Sequence, residues 1–187
     1  MTTINYKILL LGEYNDRISI KFQFIHGFFT ESYDSTVEDI FRKNIDIDGK
    51  NFLLEIFDLD ENDDYLLFRE TFIKMSNGYV ISFPIISTQS FLKIKDFRNI
   101  IYKVLNKEQS EYIPIILLGT KCELENQREV KKKDAEKIAE NWGIKYMEVS
   151  AKENINISEA FIELVRDIEK QKKQDIKSRR SKKCVII

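Results

Sequence analysis

A glycine that closes an apolar run and a hydroxyl seven residues beyond it outline a phosphate-binding loop: Gly12 ends "YKILLLG" and Ser19 follows. In such a loop, small residues let backbone N–H groups approach the phosphates, a lysine reaches the β- and γ-phosphates, and a hydroxyl binds magnesium. The residues between are Glu13, Tyr14, Asn15, Asp16, Arg17 and Ile18. Counting from Gly12 puts Arg17 at the second glycine, Ile18 at the lysine and Ser19 at the hydroxyl. A register shifted by one puts Arg17 at the lysine and Ile18 at the hydroxyl. Neither keeps all three roles. Ser19 is also suited to start a helix. Arg17 or Lys21 is placed to reach a phosphate, although a guanidinium does not match an ammonium in shape. A carboxylate about 5 Å from a phosphate charge costs about 3 kcal/mol at an effective dielectric of about 20. Glu13 or Asp16 turned inward would offset most of what a lysine contributes, so the loop is expected to bind triphosphate poorly.

A second cluster lies between Asp58 and Asp64, where Asp58, Asp60, Glu61, Asp63 and Asp64 make five acids in seven residues. It reads as a solvated acidic loop. A calcium loop with Asp58, Asp60 and Asn62 as ligands is the alternative. That reading puts Asp63 at the turn glycine and Arg69 at the bidentate glutamate, both against the pattern. A third chemical signal is the ending Cys184-Val185-Ile186-Ile187, a prenylation box preceded by basic residues. The aliphatic Ile187 leans toward geranylgeranyl, with farnesyl left open. One lipid chain anchors marginally, and the basic stretch supplies the second signal.

These groups must be positioned by a chain of 187 residues, which suits one domain with a sizeable core. The two cysteines, Cys122 and Cys184, argue against a disulfide scaffold and for a reducing compartment. Cys122 reads as a small packing residue. His26, the single histidine, reads as packing or surface. The N-terminus lacks a signal-peptide core, and no run reaches the length of a membrane span. Net charge is −1, but Lys170 to Lys183 holds eight basic residues and one acid, Asp175. An acidic body with a basic tail speaks against nucleic acid and for a tail that meets an anionic membrane.

Apolar runs alternate with helical patterns. Strands are expected over 6–12, 42–58 (a hairpin turning at Asp48-Gly49), 78–84, 112–120 and 144–150. Helices are expected over 17–28, 64–75, 89–107, 131–142 and 157–173. The fold class is therefore α/β, with a mainly parallel sheet covered on both faces. Ligands of such sheets bind beyond the carboxyl ends of the strands, here after Leu11, Phe57, Gly119 and Val149. Residues 1–169 read as the domain and 170–187 as a flexible basic tail.

The loops at those strand ends carry a resemblance. "YDSTVED" (33–39) resembles the effector segment of Ras-type small GTPases, with the Ras and Rap branch the best match. "TKCE" (120–123) and "SAK" (150–152) resemble their two guanine-binding motifs, and "FDLDENDDY" (57–65) lies where that family has Asp-x-x-Gly-Gln. The resemblance implies a three-layer P-loop NTPase-like G domain with six strands and one antiparallel hairpin edge. It implies GTP/GDP and Mg2+ as ligands, with Ser19, Thr36 and Asp58 on the metal. It implies Thr120, Lys121 and Glu123, with Ser150, Ala151 and Lys152, on the guanine. Asn62 stands at the glutamine that orients the attacking water, and Glu61 at the γ-phosphate glycine, so hydrolysis is expected to be slow. Tyr33, Asp34, Ser35, Thr36, Val37, Glu38, Asp39, Ile40 and Phe41 would meet effector proteins. Exchange factors and GTPase activators are implied as a class, and a monomer is expected. The implied function is a membrane-anchored switch with weak GTP binding and hydrolysis, at the cytoplasmic face of the plasma membrane. The alternative is a nucleotide-independent interaction module, a pseudoGTPase.

Overall fold

The computed structural model describes residues 3–30, 41–58 and 66–183, with the side chains of 66–68 and 179–183 left aside. Six strands, β1 (Ile4–Leu11), β2 (Phe41–Ile47), β3 (Lys50–Asp58), β4 (Gly78–Pro84), β5 (Ile115–Thr120) and β6 (Lys145–Glu148), form one sheet. Among the described residues five α-helices accompany them: α1 (Tyr14–His26), α2 (Leu66–Met75), α3 (Thr88–Leu105), α4 (Lys132–Trp142) and α5 (Ile157–Lys183). The strand order is β2-β3-β1-β4-β5-β6. Among the described strand pairs only β2–β3 is antiparallel, closed at Asp48 and Gly49, whose positive φ values of 54° and 76° suit a tight hairpin turn.

The strands read as unbroken apolar runs because both faces are covered. Along β1, Ile8 and Leu10 join one core and Leu9 and Leu11 the other. The first core is closed by α1 and α5, where Phe24 stacks on Phe161 at 3.8 Å. The second is closed by α3 and α4, with Ile73 of α2 packed into it. Among the described residues no helix is long and apolar enough to cross a membrane.

Several boundaries differ from the sequence reading, and two of them matter for function. Helix α5 does not stop near residue 173 but runs on to Lys183. Lys, Arg and Gln are good helix formers, and Gln171 donates to Asp175 one turn on at 2.9 Å. Helix α1 begins at Tyr14, three residues early, and this second difference reshapes the site.

The last helix is tied back to the starts of β1 and β3. Tyr6 donates to Glu169, and Lys50 pairs with the same carboxylate at 3.0 Å. The tyrosine hydrogen bond, then the lysine, hold the Glu169 carboxyl below its ordinary value of 4.5. A depressed folded-state value stabilises the fold above the unfolded value and is lost as pH falls through the folded one. Tyr6→Phe should therefore cost about 1 kcal/mol at neutral pH. The gap from wild type should narrow as acid protonates Glu169, and paired melts across the acidic range will measure this.

Candidate nucleotide site

Strand β1 delivers the chain to the sheet's carboxyl edge at Leu11, and only Gly12 and Glu13 separate it from α1. A phosphate cradle needs successive backbone N–H groups turned inward, usually through residues at positive φ. From Gly12 to Ser19 only Gly12 has positive φ, at 144°. With no glycine after it, the chain turns directly into a helix, and Arg17 N–H already bonds the Glu13 carbonyl at 3.0 Å. The first turn of α1 stands where the loop was expected.

The charged residues of that turn are held by the protein itself. Asp16 is 2% exposed, accepts from the Thr120 hydroxyl and pairs with the Lys121 ammonium at 3.0 Å. Glu13 points the other way and accepts from Ser90 at the start of α3. So Asp16 is the inward acid, and Lys121 offsets its charge. The side chain of Arg17 is buried and donates to the Gly12 carbonyl, with its guanidinium 5.8 Å from the Tyr14 ring. Ile18 is buried in the core, at neither a lysine's nor a hydroxyl's task. Ser19 donates to the Thr30 carbonyl at 3.1 Å. Lys21 pairs with Asp58 Oδ2 at 2.8 Å. Both cations that the sequence offers to a phosphate are thus engaged within the protein, Arg17 with Gly12 and Lys21 with Asp58. Tyr14 and Asn15 are exposed, and Asn15 alone of the two lines the adjoining cavity.

That cavity, of about 460 Å³, lies on the base side. Thr120, Lys121, Glu123, Ala151 and Lys152 line it, as the motifs led one to expect, together with Asn15, Asp16 and Ser19. Lys121 adopts the left-handed conformation, φ 59°, at the turn out of β5. For a non-glycine this is a strained state of the kind that clusters at ligand sites. Its ammonium is fixed by Asp16, leaving the stem along the cavity. Glu123 Oε2 is buried and has no hydrogen-bond partner among the described residues. An orphan acceptor there is what guanine N–H donors would satisfy. Ser150 does not line the cavity. It is fully buried, accepts from the Glu153 N–H at 3.0 Å and pairs with Ile155, so it shapes the loop that presents Ala151 and Lys152. The two base loops are stitched together by Cys122 N–H to the Val149 carbonyl, 3.2 Å, and Val149 N–H to the Gly119 carbonyl, 2.9 Å. Burial raises the pKa of the half-buried Cys122 thiol, in keeping with packing and not reactivity.

The residues on the base side fit a guanine, and those on the phosphate side are engaged with one another. Among the described residues no cluster of three acids, histidines or cysteines could hold a metal ion. Thr36, Glu61, Asn62, the effector residues Tyr33 to Ile40, and Cys184 lie outside the described residues. Phe41 is described, and its ring is buried, 5.5 Å from Phe22. Phe29, Ile20, Ile86 and Leu124 complete the cavity wall, and the motifs did not point to them. Phe29 had one available signal, an aromatic two residues after the glycine that ends α1.

Comparison with known proteins agrees with this architecture. The Ras family model matches residues 7–170. The Ras-like protein rasB of Dictyostelium discoideum is 34% identical over 183 residues, covering 97% of this chain and 91% of rasB. With the strand order and the two base loops in place, the chain belongs to the Ras family of small GTP-binding proteins.

Proposed function

We propose that this protein is a membrane-tethered Ras-like signalling module that offers residues 33–41 to effector proteins without a cycle of magnesium-assisted GTP hydrolysis. One observation carries the reading: the phosphate side of the site is filled from within. Helix α1 starts two residues after Gly12, and the cations that could meet phosphates are bound to Gly12 and Asp58. The tether is a prenyl group on Cys184, geranylgeranyl by the Ile187 ending, supported by the basic residues from Lys170 to Lys183. It holds the protein to the anionic cytoplasmic face of the plasma membrane.

The orphan Glu123 Oε2 favours a second reading, a slow switch that still binds guanine nucleotide through its base. In it, Asn62 would orient water in place of a glutamine, with a side chain one methylene short. Calorimetry with GDP and GTP, with magnesium and with chelator, separates the two. Affinity is expected to be weaker than about 1 μM, corresponding to roughly −8 kcal/mol. It is also expected to be the same with and without magnesium. Chromatography of nucleotide released by heating the purified protein should show less than one per chain. Nanomolar binding that needs magnesium, or one nucleotide per chain after purification, decides for the switch.

A further inference from the structure

Lys21, which the sequence offers to a phosphate, is one of the most buried cations among the described residues, 5% exposed. It sits on α1 with its ammonium 2.8 Å from Asp58 Oδ2 and 4.0 Å from the centroid of the Phe41 ring. Asp58 ends β3 and is the carboxylate that the family likeness gives to the metal. Ser19, the other metal residue among those described, donates its hydroxyl to the Thr30 carbonyl. Magnesium demands a near-octahedral shell of oxygens at about 2.0–2.1 Å. The ammonium takes Oδ2 and already offsets the charge of this carboxylate, so a divalent ion at the other oxygen would meet the repulsion of Lys21. The ring face of Phe41 adds a second, electrostatic hold on the ammonium.

We propose that the Lys21 ammonium is a built-in substitute for the metal ion. It clamps the end of β3 to α1 by a covalently supplied cation and closes this domain to Mg2+. Where Ras-type proteins couple this carboxylate to a dissociable ion, here the coupling is permanent. The inference deepens the proposed function and rests on it for the assignment of Asp58 as the metal position.

The test uses the full chain, metal-stripped and free of nucleotide, so that its failure is distinct from failure of the nucleotide reading. A site filled to a hundredfold its dissociation constant would raise the melting midpoint of a domain this size by roughly 5–10 °C. Wild type should show no shift with millimolar Mg2+ or Mn2+ and should leave the Mn2+ paramagnetic resonance signal as in buffer. Lys21→Arg keeps the charge and should behave the same. Lys21→Met keeps an apolar stem against Phe41 and removes the charge. It should melt lower, and adding Asp58→Asn to it should cost far less than Asp58→Asn does in wild type, because the pair acts as a unit. Stoichiometric Mn2+ binding or a midpoint rise in wild type overturns the proposal. So do losses from Lys21→Met and Asp58→Asn that simply add. Should Lys21→Met fail to fold, the wild-type and Lys21→Arg titrations decide alone. Nucleotide binding in chelator would weigh against the proposed function and leave the Lys21 clamp standing.

Discussion

Gly12→Ala should lower the melting midpoint of the nucleotide-free protein by about 10 °C. A Cβ on Gly12 would lie 2.3 Å from Ser82 Oγ and 2.5 Å from the Ser82 carbonyl oxygen. The hydroxyl can rotate, but the carbonyl belongs to β4, paired in parallel with β1 through Leu11 and Ile81. Ser82 also donates to the Leu11 carbonyl at 3.2 Å, so the two strand ends are locked together. At φ 144° the backbone is in addition one that an alanine rarely adopts. Overpacking and backbone strain together give about 3–4 kcal/mol, at about 2–4 °C per kcal/mol for a chain of this length. Gly27→Ala is the control. It too has positive φ, 74°, but nothing lies within 4 Å of its added carbon, so about 1 kcal/mol is expected. Equal losses at the two positions would show that the Ser82 contact carries nothing. The comparison also separates two reasons for a glycine at this place. A glycine kept for phosphate approach would matter only with nucleotide present, whereas one kept for the β1–β4 contact matters without it.

What could be read from the sequence follows from range. The strands were legible because burial on both faces makes them continuously apolar, and the hairpin because Asp48-Gly49 is a local signal. The base loops were legible because their residues are contiguous and lie at strand ends. The start of α1 is not, since the spacing of Gly12 and Ser19 suggests a loop between them. Yet the absence of glycine from Glu13 to Ile18 was in view and has a direct physical consequence, a helix in place of a cradle. Partner choice was also beyond reach. Asp16 meets Thr120 across 104 residues, and Lys21 meets Asp58 across 37. No local pattern says which way a carboxylate turns, and that turn decides whether Asp16 repels a phosphate or anchors a base loop. The end of α5 differs from the sequence reading for another reason. A run of like charge reads as a solvated tail, but its residues are individually good helix formers.

Cys184→Ser should move the protein from the membrane fraction to the soluble fraction. A prenyl chain contributes about 0.8 kcal/mol per buried CH₂, and a single chain of this kind gives only marginal, reversible binding. The basic segment adds about 1 kcal/mol per Lys or Arg near anionic lipid. Because α5 continues to Lys183, these charges are carried on a helix and not on a coil. At 1.5 Å per residue the stretch from Lys170 spans about 20 Å, roughly two Debye lengths at about 0.1 M salt. Lys170, Lys173 and Lys177 are exposed at helical spacing along one side. Not all the charges can sit within a Debye length of one surface unless the helix lies along it. The lipid-deficient variant, left with the basic term alone, should therefore detach with rising salt. Wild type should lose less, since its hydrophobic term is unscreened. Changing Arg179, Arg180, Lys182 and Lys183 to glutamine should weaken binding in proportion to the anionic lipid present while leaving the anchor. Fractionation, imaging and vesicle flotation across lipid composition and salt will read these outcomes. Wild-type-like retention of Cys184→Ser, or an unmodified Cys184 by mass spectrometry of protein from cells, would remove the lipid anchor. The basic end of α5 would then need a protein partner of acidic surface to explain it.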